Sequence, residues 1–175
     1  LKSAELRPYR YLHLATHGIL GNELPGVTEP AIILGKEEGE DGLLLASEAM
    51  ALDIAADVTV LSACNTGSGE LVSGEGVQGM GRAFLIAGSK SVLVSLWPVD
   101  SFATEQLMIA FYEEMSAGAD PASALRTAKL EVRSDQSLDA SRRGNRLPSS
   151  ISRGESSEGR HPFFWSAFVL ISTVL

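Results

Sequence analysis

Apolar and polar positions alternate between two periods along the chain, and the alternation predicts a mixed α/β domain. Asp57 to Ala63 is β-branched and almost continuously apolar, as a strand buried on both faces requires. Ser91 to Trp97 has the same character and stops at Pro98. Arg10 to Thr16 reads as a strand leading into the loop at His17-Gly18. Pro30 to Leu34 and Gly42 to Leu45 are short apolar runs around a polar turn, and they predict a hairpin on an otherwise parallel sheet. Phe164 to Ile171 reads as a closing strand.

Between these runs the period lengthens to that of helices. Ser47 with Met50, Ala51 and Ile54 predicts a short helix capped by Ser47. Val77 to Ala87 predicts a helix ended by Gly88. Phe102 to Ser116 places apolar residues at Phe102, Leu107, Ala110, Phe111 and Met115. Pro121 to Val132 predicts a further helix with proline in its first turn. Strands alternating with helices point to an α/β sheet with layers on both faces. Ser134 to Arg160 breaks the pattern. It holds eight serines and five arginines, with too little apolar surface to offset the entropy of ordering it. It is read as a mobile insertion (134–160) within a single domain spanning 1–175.

Composition narrows the function. The 175 residues carry a net charge of −8, which disfavours nucleic acid or an anionic membrane as a partner. No apolar run reaches the length of a membrane span, and the polar start does not read as a secretory leader. The single cysteine excludes an internal disulfide, and Cys and His are too few for a four-ligand zinc site. A cytoplasmic location is the expectation.

That cysteine, Cys64, follows a buried strand and enters a Gly-rich loop. The carboxyl end of a parallel strand opens into a crevice where a side chain can meet substrate. His17 also follows a strand. If the two strands are neighbours, thiol and imidazole meet. The imidazole can then take the thiol proton and return it to a leaving amine, while the backbone N–H groups of Gly18 and Cys64 serve as oxyanion donors. The competing reading makes Cys64 a small core residue.

The segments around these residues resemble CHAT domains, caspase-like domains often attached to tetratricopeptide (TPR) repeats. Tyr11-Leu12-His13-Leu14-Ala15-Thr16-His17-Gly18 resembles their His-Gly segment, and Leu61-Ser62-Ala63-Cys64-Asn65-Thr66-Gly67 their nucleophile segment. Gly79 to Gly88 resembles the helix that follows. Ser95-Leu96-Trp97-Pro98-Val99-Asp100 is similar to their Leu-Trp-x-Val-Asp strand end, which separase shares. His161-Pro162-Phe163-Phe164-Trp165-Ser166-Ala167-Phe168 resembles their closing strand.

The resemblance implies a caspase–hemoglobinase three-layer sandwich with a mostly parallel central sheet. It also implies cysteine endopeptidase activity on protein substrates through a Cys64–His17 dyad, without metal or organic cofactor. It further suggests an N-terminal TPR region in the full protein. The 47 residues from His17 to Cys64 suit the spacing of caspase relatives. Ser62-Ala63-Cys64-Asn65-Thr66 departs from the caspase Gln-Ala-Cys-x-Gly, so a caspase's aspartate preference does not carry over. The family's fold begins with one or two strands and a helix ahead of the His-Gly strand. Only Leu1 to Arg10 precede that strand here, so the domain is expected to be partial at its N-terminus.

Several further residues carry two readings. Asp100, with Trp97 beside it, is a candidate substrate contact selecting a basic side chain, or else a helix cap. Trp97 and Trp165 also suit core packing. His13 fits a packed or hydrogen-bonded strand position, and His161 the start of the last strand. Gly74-Glu75-Gly76-Val77-Gln78-Gly79 matches a dinucleotide fingerprint, but the preceding strand ends too early for a tight strand-to-helix turn. Two alternatives to a peptidase follow: a catalytically silent scaffold of the same fold and, more remotely, a nucleotide-dependent oxidoreductase.

Overall fold

The computed structural model describes residues 1–36, 39, 41–62, 75–97, 99–134 and 162–173. It divides into two compact units, Leu1–Pro98 with Phe168–Leu175, and Val99–Ala167.

The first unit is built on two sheets. Strands β1 (Tyr11–Leu14), β5 (Val58–Leu61), β6 (Ser91–Ser95) and β7 (Phe168–Ser172) form a four-stranded sheet in the order β1-β5-β6-β7. The β1–β5 and β5–β6 pairs are parallel, and β7 runs antiparallel to β6. The two runs read as buried strands are the two central ones. Every residue of β5 and β6 is buried, which explains their nearly continuous apolar character.

Strands β2 (Gly18–Ile19), β3 (Ala31–Ile33) and β4 (Leu43–Leu45) form a separate antiparallel sheet. The expected hairpin is therefore present as β3–β4, but it joins this small sheet rather than the parallel one. Its additional partner is the two-residue β2, too short to show in an apolar pattern.

Helices α1 (Ala46–Met50) and α2 (Glu75–Ile86) pack together, and α2 packs on β6. The core joins Phe84, Met80 and Ala83 of α2 to Leu61, Val92 and Val94 of the sheet. Burying Phe84, 1% exposed, contributes about 2–3 kcal/mol. Gly81 lets the helix approach closely, since a Cβ there would lie 3.3 Å from both Val94 and Ile171. Gly88 ends the segment with φ +113°, the left-handed region that favours glycine.

Ser47 is not the cap of α1. The cap position is Leu45, whose N–H donates to the Glu48 carboxylate at 2.9 Å. Both the N–H and the hydroxyl of Ser47 donate to Glu29, at 2.7 and 2.8 Å, a partner eighteen residues away that local pattern does not reveal. At the opposite edge of the parallel sheet, Asp57 accepts from Lys90 at 2.7 Å and Arg10 at 2.8 Å. These bonds clamp the starts of β1, β5 and β6 together.

The second unit holds α3 (Ser101–Ser116), α4 (Pro121–Ser134) and the short α5 (Pro162–Trp165). Asp100 caps α3, and Asp120 accepts from the N–H groups of Ala122 and Ser123 at the start of α4. Leu107 and Phe111 of α3, Ala124 and Ala128 of α4, and Phe164 of α5 are buried, and the three helices pack on one another. The Arg133 guanidinium sits 5.6 Å above the Trp165 ring, within cation–π range.

The closing strand starts later than its apolar run. Phe164 lies in a helical turn opened by Pro162, and pairing with β6 begins at Phe168. His161 and the predicted insertion beyond Ser134 lie outside the described residues. Among the described residues no helix is long and apolar enough to cross a membrane.

Candidate functional site

The parallel sheet sets side by side the two strands that precede the candidate residues. β1 and β5 are adjacent and in register from Tyr11↔Val58 to Leu14↔Leu61. The neighbour relation expected of the His17 and Cys64 strands is therefore present. His17 lies three residues beyond Leu14 and is exposed. Cys64, three residues beyond Leu61 in sequence, lies outside the described residues. Ser62 is described, and its N–H donates to the Leu14 carbonyl at 3.2 Å. Trp97 is half-buried and follows the end of β6, which is parallel to β5.

The small sheet holds the backbone of His17. The Ile33 N–H donates to the His17 carbonyl at 2.8 Å, and the Thr16 hydroxyl donates to the Ile33 carbonyl at 2.6 Å. Gly18 is paired with Ile32. Because the bond from Ile33 reaches His17, one residue before Gly18, Gly18–Ile32 is a non-hydrogen-bonded pair. The Gly18 N–H consequently points away from β3 and takes no part in that ladder.

His13 is bound rather than free, as its position in the strand suggested. Its Nε2 lies 3.1 Å from the Ser62 hydroxyl, and the Ser62 hydroxyl lies 3.4 Å from the Leu14 carbonyl. The ring keeps an exposed rim, yet the chain packed around it desolvates it enough to hold its pKa below the ordinary histidine value. The sequence pattern did not single out Ser62. The available signal was strand alternation, which places His13 and Ser62 on one face once β1 and β5 are paired.

Asp100 accepts the Ala103 N–H at 2.9 Å, so its cap role is present in the structure. The dinucleotide pattern has the wrong setting. Thirteen residues separate the end of β5 at Leu61 from the start of α2 at Glu75, and Gly76 and Gly79 lie inside the helix. No strand-to-helix turn is formed by these glycines. Among the described residues no group of three His, Cys, Asp or Glu side chains is placed to hold a metal ion.

Residues 1–173 match the CHAT domain. The chain belongs to the CHAT domain family. Two curated proteins are similar to this CHAT chain, both described as tetratricopeptide repeat protein 28. The human protein is 30% identical over 131 residues, and the mouse protein 29% identical over the same length. Each alignment covers 75% of this chain and 4% of the relative. The CHAT chain thus matches only a small fraction of the length of these relatives. Its mixed α/β architecture and mostly parallel main sheet agree with a caspase-like fold.

Proposed function

We propose that this CHAT domain is a cysteine endopeptidase of the caspase–hemoglobinase three-layer type. The observation that carries the reading is the adjacency of β1 and β5, with Leu14 opposite Leu61. The segments bearing His17 and Cys64 leave neighbouring parallel strands at the same edge.

The chemistry follows from the groups. His17 takes the Cys64 thiol proton, and the thiolate attacks the peptide carbonyl carbon. The resulting oxyanion accepts hydrogen bonds from the N–H groups of Gly18 and Cys64; the orientation of Gly18 away from β3 supports its part. As the tetrahedral species collapses, the C–N bond breaks and the departing amine takes the proton from His17. Water, deprotonated by His17, then cleaves the thioester and regenerates the thiol. Trp97 and Asp100 follow β6 and enter as candidate substrate contacts, with Asp100 favouring a basic side chain. Asp100→Ala should then weaken cleavage after Arg or Lys more than after Leu; equal loss at both would leave Asp100 a helix cap alone.

A second reading has its own support. The relatives are named for tetratricopeptide repeats and exceed this chain many-fold in length. A CHAT domain within a large helical-repeat protein can dock a partner without cleaving it.

A peptide probe with a thiol-reactive warhead separates the two. Arg, Lys, Leu and Asp are scanned ahead of the warhead, with Cys64→Ala and His17→Ala as controls. Labelling that requires both residues and prefers one peptide is expected. Absence of labelling in the wild type, within its full-length chain, would favour the scaffold.

A further inference from the structure

We propose that the outward faces of α3 and α4 form an interface between two copies of this chain, with α3 of each copy lying along α4 of the other. The inference goes beyond the peptidase reading and does not depend on it.

The two helices sort their charges. α3 carries Glu105, Glu113 and Glu114 and no basic residue. α4 carries Arg126, Lys129 and Arg133 against one acid, Glu131. Residues three or four apart share a helix face, so Glu105, Ile109 and Glu113 make one stripe, and Arg126, Lys129, Leu130 and Arg133 another. The opposite sides face inward, with Leu107 and Phe111 of α3 and Ala124, Ala128 and Val132 of α4 all buried. Glu105, Glu113, Arg126 and Arg133 are exposed. Within each stripe stands an exposed aliphatic side chain, Ile109 at 47% and Leu130 at 44%.

Among the described residues these charges are not met within the copy. Glu105 and Glu113 have no cationic partner there, and Arg126 and Lys129 no carboxylate. Arg133 lies over the Trp165 ring. Lys129 is half-buried, and desolvation holds its pKa below the usual lysine value. A cation partly withdrawn from water gains most from an added counter-charge, and an anionic face laid along α4 supplies one.

The stripes also match in spacing. Along α3, Ile109 lies about 6 Å of helix rise from both Glu105 and Glu113. Along α4, Leu130 lies about 6 Å from Arg126 and about 4.5 Å from Arg133. Setting Ile109 against Leu130 therefore brings a carboxylate beside a guanidinium on either side, whichever way the helices run. Met108, Tyr112 and Ser116 join Glu105, Ile109 and Glu113 in lining an open depression on α3, a seat for Leu130 of the second copy. A twofold axis that lays α3 on α4 lays α4 on α3 in return, so the contact closes as a dimer. The net charge of −8 repels copies that approach by acidic faces, and charge pairing along α4 sets the specificity.

Sedimentation equilibrium over a wide range of protein concentration tests the interface. The wild-type mass should rise from monomer toward dimer, and raised salt should weaken the association. Two charge reversals should each hold the chain monomeric: Glu105→Arg with Glu113→Arg on α3, and Arg126→Glu with Lys129→Glu on α4, which leaves Arg133 on the Trp165 ring. An equimolar mixture of the two reversed variants should restore the dimer, because each then meets opposite charge at both contacts. The milder pair Glu105→Gln with Glu113→Gln, with far-ultraviolet circular dichroism matching wild type, should weaken association several-fold. A wild type that stays monomeric throughout, a reversal or neutral pair that leaves association unchanged, or a mixture of folded variants that stays monomeric would overturn the proposal.

Discussion

Replacing Thr16 by Val tests whether the small sheet holds the imidazole in place. The substitution keeps the β-branched shape suited to extended chain and removes only the hydroxyl that donates to the Ile33 carbonyl at 2.6 Å. That carbonyl belongs to the residue whose N–H holds the His17 carbonyl. The register of β3 with β4 makes Ile33–Leu43 a non-hydrogen-bonded pair, so β4 does not satisfy the Ile33 oxygen. Thr16→Val therefore removes one net hydrogen bond and leaves a half-buried acceptor, a loss of about 1–2 kcal/mol. For a domain of this size the melting temperature should fall by roughly 2–8 °C. Thr16→Ser retains the hydroxyl and should sit close to wild type. Circular dichroism melts give the stability, and the rate of peptide-warhead labelling gives the effect on His17, expected as a several-fold loss in Thr16→Val. Melting of Thr16→Val within a degree of wild type, or an equal fall in Thr16→Ser, would refute the reasoning.

Three further outcomes follow from the fold. Gly88→Ala should cost about 2–4 kcal/mol in denaturant titration, because an L side chain is strained at φ +113° and its Cβ would overlap the Ile54 carbonyl oxygen. A cost below about 1 kcal/mol would contradict the close approach described. Asp57 has its carboxyl pKa held below the usual value by the hydrogen bond from Lys90 and then by that from Arg10. Its stabilisation is fully present above the unfolded value of about 3.9 and is lost as the pH falls through the lower folded value. Asp57→Asn should therefore lower stability at pH 7 modestly, both partners being solvent-exposed, and flatten the acid limb of a melting-versus-pH curve; an unchanged acid limb would contradict this. Asp100→Ala should destabilise the protein by about 0.5–2 kcal/mol through loss of the α3 cap, with Asp100→Ser restoring most of it; equal melting of the two variants would exclude the cap.

Features that depend on a local pattern were legible in the sequence. β5 and β6 declared themselves by β-branched runs, and α3 and α4 by helical spacing with Asp100 and Pro121 at their starts. Features fixed by distant partners were not. Ser47 has the composition of a cap, but Glu29 claims both of its donors. Phe164 extends an apolar run that reads as strand, yet Pro162 suits the first turn of a helix and the pairing partner in β6 is used only from Phe168 onward. β2 has two residues and exists because β3 lies opposite it. His17 and Gly18 were singled out by motif, whereas the hydrogen bond between His13 and Ser62 required knowing that β1 and β5 pair in parallel. Asp100 was read both as a selector and as a cap, and the bond to Ala103 accounts for the second role.

The passage from Leu14 to Gly18 has a mechanical consequence. Within a few residues the chain leaves the parallel sheet and enters the antiparallel one, and His17 stands on that joint. Its carbonyl is fastened to the small sheet, while Leu14 is fastened to Ser62. A lever with two such anchor points converts tilt into aim: any load that rocks the three-stranded sheet swings the imidazole relative to the strand that leads to the thiol.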